Sequence, residues 1–378
     1  MQKPSFWAAF KETFHAIFKD EEIILMVILA PILYGFFYPW PYSNQLALQV
    51  PAAIIDYDNT DLSRQIYRYA AADPRIAVLR LPSEQAAKEA LWHGEIEGYM
   101  ILPANLKHDV LHNKAGNVAI AGNGSYVLLN KSVLYGFAEA VGTVSAGIAI
   151  EQFTAQGMSA EQTYTAAQPL ILNTKAYYNV SQGYASYVVP AVALLILQQT
   201  LLMGVALYVG TLFEAKKAHA RASTWCARIL AFCSVSWLIM GFYFGWLFTW
   251  MDFARGGNLL GTLLLMLIYA PTAIIWGALL GLWFKVRERS LQVLAFTSLP
   301  IYFISGFSWP AEGLPPLMQT LRWLIPSTPA IQASIRLDQM GASISTVTPY
   351  LLNIAALGII GFILLLLVGR KRSTEIDK

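Results

Sequence analysis

The chain has 378 residues, 56% of them hydrophobic and only 13% charged, about half the charged share of a soluble domain. Mean hydropathy is +0.48, which suits a membrane protein carrying a sizeable polar insert. The formal net charge of +3 gives no footing for a nucleic-acid partner, and what informs is where the charges sit.

Residues 1–22 hold Phe6, Trp7, Phe10, Phe14, Ile17 and Phe18, with Lys11, Glu12 and Lys19 between them. That spacing predicts a helix with one apolar face, lying flat in the cytoplasmic interface. A plain extension of the first span is the other reading. No cleavable signal peptide is evident, because the first apolar run starts late and is too long for an h-region.

Six stretches are long and apolar enough, or nearly so, to cross a bilayer: Ile23–Trp40, Tyr187–Phe213, Ile229–Met251, Leu259–Phe284, the short Ser290–Phe307, and Tyr350–Gly369. None contains Asp, Glu, Lys, Arg or His. Pro31, Pro190, Pro271 and Pro300 lie inside them, as membrane helices tolerate. The fold class read from this pattern is an α-helical membrane protein with six transmembrane helices plus an α/β extracytoplasmic domain. Residues 1–22 form the interfacial helix and 23–41 the first span. Residues 42–184 form the inserted domain, 185–370 the remaining five spans, and 371–378 a cytoplasmic tail.

Orientation follows from the basic residues at the span ends. With the N-terminus inside, the inner segments carry Lys3, Lys11, Lys19, Lys216, Lys217, Arg221, Arg228, Lys285, Arg287, Arg289, Arg370, Lys371, Arg372 and Lys378. The short outer loops carry only Arg255, Arg322 and Arg336. Both termini are therefore expected in the cytoplasm. Aromatic residues gather at the outer ends: Tyr38, Trp40, Tyr42, Tyr184, Tyr187, Trp246, Trp250 and Trp309.

The insert alternates strands and helices. Val50–Ile55, Ile76–Leu81, Gly98–Leu102 and Val118–Ala121 read as strands; Leu62–Ala72, Ser83–His93 (Ser83 as N-cap) and Asn105–His112 read as helices. A longer helix follows through Tyr126–Gln156. This alternation argues for a small α/β layer domain. Asp56, Asp58 and Asp61 lack the glycine and later glutamate of a calcium loop and read as a turn and helix start. His108 and His112 share a helix face, as in zinc proteases, but Asp109 replaces the catalytic Glu and no third ligand is evident; a solvated face is the better account. Cys226 and Cys233 lie together in one apolar region and read as small buried hydrophobes, unable to staple the insert.

The spans offer only amides and hydroxyls, among them Gln198, Gln199, Thr200, Gln292, Thr297 and Ser298. Proton-coupled transport needs intramembrane ionisable groups, so it is disfavoured, although unwound backbone can still bind sodium. No Gly-Lys pair occurs anywhere, so the chain has no phosphate-cradling loop. Active transport would then draw on a partner ATPase docking at the interfacial helix and the loop from Glu214 to Arg228. The residues singled out for that contact are Phe10, Phe14, Glu214, Lys216, Lys217 and Arg221. The pairs Gly241/Gly245, Gly257/Gly261 and Gly277/Gly281 have the spacing that lets helices approach closely. Past the fifth span, Pro310, Pro315 and Pro316 break the chain, and Leu317, Met318, Leu321, Leu324 and Ile325 recur at helical spacing. Two readings stand for that segment, near 308–345: a re-entrant helix dipping into the outer leaflet at a substrate exit, or a capping helix packed on the bundle.

Three stretches resemble the ABC-2 type transporter permeases with a large extracytoplasmic domain between the first two transmembrane helices. They are PAAIIDYDNTDLSRQI (Pro51–Ile66), EALWHGEIEGYMILPANLKHDVLHNKAGNVAIAGNGS (Glu89–Ser125) and SGFSWPAEGLPPLMQTLRWLIPSTPAIQASIRLDQMG (Ser305–Gly341). The last is similar to that family's outer re-entrant segment, with Gly306, Pro310, Pro316, Pro326 and Gly341 in place. Many relatives carry an acidic, Gly-Thr-containing loop after the second span; here the loop is FEAKKAHARASTWCARIL, where only Glu214 matches the acidic start. The resemblance implies a permease subunit of an ATP-binding-cassette exporter that binds no cofactor itself. A second permease copy or paralogue and two ATPase subunits carrying ATP and Mg would complete it. A place in a bacterial inner membrane, a hydrophobic or amphipathic substrate, contact with membrane lipid, and in some members a periplasmic adaptor and outer-membrane channel are also implied. The alternatives are a membrane-anchored extracytoplasmic binding or sensory protein and, more remotely, a secondary transporter.

Overall fold

The computed structural model describes residues 5–112, 114–167, 175–253 and 255–371. In chain order the elements are α1 (Phe6–Lys19), α2 (Glu21–Tyr42), β1 (Val50–Asp56), α3 (Asp61–Ala72), β2 (Ile76–Arg80), α4 (Glu84–Trp92), β3 (Gly98–Leu102), α5 (Leu106–Leu111), β4 (Ala119–Gly122), α6 (Val127–Ala155) and α7 (Ala160–Ala167). Then come α8 (Tyr184–Glu214), α9 (Ala222–Trp250), α10 (Leu259–Phe284), α11 (Arg287–Ile304), α12 (Pro316–Leu321), α13 (Ser327–Ser334) and α14 (Ile344–Lys371). They fall into two compact units, one of Met1–Ser43 with Ala176–Lys378 and one of Asn44–Lys175.

In the second unit the four predicted strands form one sheet in the order β2-β1-β3-β4. β1 runs parallel to both β2 and β3, and β4 closes the edge antiparallel to β3. Parallel strands need covered faces, and β1 supplies apolar residues to both sides. Ala52 and Ile54 pack with Leu62, Ile66 and Ala70 of α3 and Val133, Phe137 and Ala140 of α6. Ala53 and Ile55, one residue out of phase, pack instead with Ala87 and Ala90 of α4. Helix starts follow local chemistry. Thr60 and Ser63 form a reciprocal capping box at α3, and the Ser83 hydroxyl accepts from the Ala86 N–H at α4. The acidic run is a turn: Asp56 accepts from the Asp58 and Asn59 backbone N–H groups and from the Ser63 hydroxyl, and Lys107 pairs with Asp61. His108 and His112 stack at 4.2 Å between ring centres on an exposed face. Among the described residues no group of three or more His, Cys, Asp or Glu gathers to hold a metal.

In the first unit α8 is the central helix, with 94% of its apolar window buried, against 33% for α2 and for α14. A helix apolar on all sides belongs in such a position. α10 lies closest to it. A Cβ added at Gly277 would stand 3.1 Å from the Leu202 carbonyl oxygen, and one at Gly281 would stand 2.8 Å from Val209 Cβ. That glycine pair is a helix seam. Gly241 and Gly245 face open space, so the close approach predicted there is not made within this chain; of the third pair only Gly261 is crowded, by Leu337.

Among the described residues, six helices are long and apolar enough to span a membrane: α2, α6, α8, α9, α10 and α14. α6 is one of them although it packs on the sheet of the second unit. The predicted fifth span lies in α11, which is outside the six. The physical reason is composition. α11 opens Arg287-Glu288-Arg289 and keeps Gln292, Thr297 and Ser298, whereas α6 dilutes Lys131, Glu139 and Glu151 over 29 residues. Cys233 is buried as expected, but Cys226 is exposed, because its position on α9 turns away from the packed face.

Candidate coupling surface

One end of the first unit gathers α1, the α8–α9 loop, the start of α11 and the end of α14. α1 begins at Ser5, whose hydroxyl accepts from the Ala8 N–H. It buries Ala9, Thr13 and Ile17, a stripe of small and aliphatic residues at helical spacing. Its aromatics face the other way: Trp7, Phe14 and Phe18 are exposed, Phe10 half-buried, and Phe10 stacks on Phe14 at 5.9 Å between ring centres. This corrects the single apolar face read from the sequence, since Ile17 points into the bundle. α1 is two-faced, and the aromatic face is free to lie on lipid or on another protein. The packed face is pinned by polarity. The Thr13 hydroxyl donates to the Ala9 carbonyl at 2.8 Å and stands 2.8 Å from the Tyr208 hydroxyl of α8, which therefore donates to it.

The joint between α1 and α2 is Asp20. One carboxylate oxygen caps α2 by accepting from the Glu22 and Ile23 N–H groups. Arg287, from the start of α11, forks onto both Asp20 oxygens, and its Nη1 lies 2.6 Å from Oδ2. The same guanidinium donates to Glu22 Oε2 at 2.8 Å and to Thr211 Oγ1 at 2.7 Å. The Arg287 hydrogen bonds hold the Asp20 carboxyl below its ordinary value of 3.8, against partial desolvation. Close backbone approach makes the fork possible, since a Cβ at Gly210 would stand 3.1 Å from Arg287 Cα. One arginine thus ties α1–α2, α8 and α11 together.

The α8–α9 loop is held from below. α8 ends as Lys216 enters the left-handed region at φ 57°. Arg228, buried on α9, donates to the Lys217 carbonyl at 3.1 Å and lies over the Trp225 ring at 4.9 Å. His219 Nδ1 lies 3.0 Å from the Gly369 carbonyl of α14. Lys217 approaches Glu12 of α1 at 3.7 Å. Among the six residues singled out for coupling, then, the structure joins Lys217 to α1 and puts Phe10 and Phe14 on α1's outward face. Glu214, Lys216 and Arg221 are exposed on the loop. Asp20, Thr13 and Tyr208 were not predicted, and Arg228 entered only as a basic flank at the end of the predicted docking loop. Arg287 had been counted only as a flanking charge, and its partner lies 267 positions away.

At the opposite end, the segment after α11 divides in two. Pro310, Pro316, Leu317 and Leu321 are exposed, with α12 presenting its leucines outward. Pro326 and the helix α13 are buried against α8, α10 and α14. So the proline-flanked helix neither caps nor buries its leucines in this unit, and the following helix is the packed one. The segment that continues from α13 is anchored by Arg255 to the buried Asp338 at 3.7 Å, by Asn258 Nδ2 to the Ala342 carbonyl at 2.6 Å and by Gln339 to the Ser186 carbonyl at 3.0 Å.

An apolar bundle with a two-faced surface helix, carrying an inserted α/β domain, is an architecture that a transporter's membrane subunit can have. The chain belongs to the ABC-2 family of transporter proteins, whose family model matches residues 22–370. It is therefore a multi-pass membrane protein of the permease type rather than an enzyme in its own right. Among characterised proteins it is similar to the linearmycin resistance permease protein LnrN of Bacillus subtilis (strain 168), at 23% identity over 370 residues, 88% of this chain and 90% of that one.

Proposed function

We propose that this permease is the membrane subunit of an ATP-driven exporter. It moves a hydrophobic or amphipathic substrate out of the cytoplasm or the inner leaflet, with ATP and Mg bound by a separate ATPase subunit. The observation that carries this reading is the knitted end built on Arg287. A docked ATPase that moved α1 or the α8–α9 loop would load α2, α8 and α11 together through Asp20, Glu22 and Thr211. The aromatic face of α1 and the exposed Glu214, Lys216 and Arg221 supply surface for such a partner. The relative's name supports outward movement, because resistance conferred by a permease is most simply removal of the toxic compound. A second permease copy or paralogue would complete the assembly, with lipid around it; a periplasmic adaptor and outer-membrane channel are compatible additions.

Charge supports α11 rather than α6 as the fifth span. If α6 crossed and α11 did not, Lys216, Lys217 and Arg221 would lie across the membrane from Lys11 and Lys19, as would Lys285 and Arg289. With α11 crossing, all lie on one side, with both termini in the cytoplasm and the α/β domain outside.

The test is co-purification from the native membrane followed by reconstitution. The chain alone should hydrolyse no ATP and should transport only when its co-purified ATPase is added. Transport by the lone chain under a proton or sodium gradient would overturn the proposal.

A further inference from the structure

The second unit contains a groove that the transport reading does not use. It runs between α3, α5 and the second half of α6, with a volume of about 370 Å³, within the roughly 300–1,000 Å³ typical of small-molecule sites. Its lining is aliphatic: Leu62 and Ile66 from α3, Leu106 and Val110 from α5, and Val141 and Ile148 from α6. One wall is backbone. At Gly116 an added Cβ would fall 2.5 Å from Leu106 Cδ1, so the chain leading into β4 lies flush against the groove floor.

The first half of α6 is packed tightly on the sheet. A Cβ at Gly136 of α6 would stand only 3.0 Å from Ile76. The opening is therefore local to the far half of α6. A concave apolar groove with a few polar groups at its edge is the default candidate for a ligand site.

The lining also states the ligand's chemistry. Among the described residues it includes no aromatic ring on which a flat molecule would stack, and no carboxylate. It includes one charge, Lys114, exposed at the edge, with its backbone N–H fixed to the Asp109 carbonyl at 2.8 Å. Ser145 and Gln152 add neutral polar groups along α6. An aliphatic groove with a single ammonium beside it matches a flexible alkyl chain ending in an anion. A cationic amphiphile would meet like charge at Lys114.

We propose that this groove binds the alkyl chain of a free, single-tailed anionic amphiphile, with its head group paired to Lys114. The site is independent of how the bundle is energised and holds whether or not the chain exports.

The test uses the full chain in lipid nanodiscs and a diazirine-bearing dodecanoate, with photolabelled peptides mapped by mass spectrometry. Label is expected on peptides containing Val110, Val141 and Ile148. Excess plain dodecanoate should compete, and dodecyltrimethylammonium should not. Ser145→Trp, at an exposed position on the rim, should cut labelling of these peptides several-fold while Ser145→Ala leaves it unchanged. Lys114→Glu should reverse the preference between the anionic and cationic competitors. Val141→Phe gives a second way to fill the slot if Ser145→Trp fails to reach the wild-type melting temperature. Label confined to the membrane helices, labelling indifferent to both filling variants, or equal competition by the two head groups would each overturn the proposal.

Discussion

The Asp20–Arg287 fork shows how much one side chain can hold when four of its five N–H donors are used. A planar guanidinium offers a fixed set of donors, and here they reach two carboxylates and a hydroxyl from separate elements. Arg287→Ala would leave Asp20 with only its cap bonds, at a cost of about 1.5–3 kcal/mol for a charge-assisted pair. Arg287→Lys should recover only part, because an ammonium cannot fork; unfolding in nanodiscs followed by intrinsic fluorescence measures both. The pH dependence has a definite sign. Because the folded-state value of Asp20 lies below the ordinary 3.8, its contribution is fully present above 3.8 and is lost only as pH falls below it. The difference in stability between the wild type and Asp20→Asn should therefore be flat across neutral and mildly acidic pH and shrink only in strong acid. None of this was legible in the sequence. Charge counting along the chain found Arg287 as a flank, but pairing across 267 positions is a property of the folded bundle.

At the scale of elements, the inserted domain was nearly transparent to sequence reading and the bundle less so. In the domain, apolar alternation, Ser83 and the Thr60 region mark boundaries locally, so the predicted strands and helices fall within a residue or two of their predicted ends, and only the short α7 was not predicted. In the bundle nearly every residue is apolar, and pattern no longer says which face packs. That is why α1 was misread: its aromatic stripe outweighed the smaller Ala9, Thr13 and Ile17 stripe that is the buried one. It is also why three glycine pairs looked alike when only Gly277/Gly281 forms a seam. The candidate coupling residues were legible as a region, from charge and amphipathicity, but not as contacts. The seam yields a direct prediction. Gly281→Leu forces a side chain into Val209 and the Ala206 carbonyl and should destabilise the bundle by about 1–3 kcal/mol through overpacking. Gly245→Leu, facing open space, should leave the melting temperature of the isolated chain unchanged.

For the whole molecule, the central question is which long helices cross. In a Cys226→Ser background, single cysteines introduced at Asn123, Lys217 and Val286 separate the two arrangements. With α11 crossing, an impermeant maleimide should label position 123 on intact cells and positions 217 and 286 only after permeabilisation. If α6 crossed instead, positions 217 and 286 would label from outside. The near-complete enclosure of α8 has a further consequence, for biogenesis. A helix surrounded by its neighbours in the mature protein must first leave the insertion machinery with only part of that shell synthesised, since α9 to α14 follow it in the chain. Its sides must then tolerate acyl chains before they meet protein, and an apolar surface on every side meets that requirement. The clearest departure is Gln198, 1% exposed with neither amide atom hydrogen-bonded among the described residues, beside Gln199, whose Oε1 is also without a partner among them. During synthesis the Gln198 amide is the point at which α8 is least at ease in lipid, and later helices closing over it would relieve the exposure.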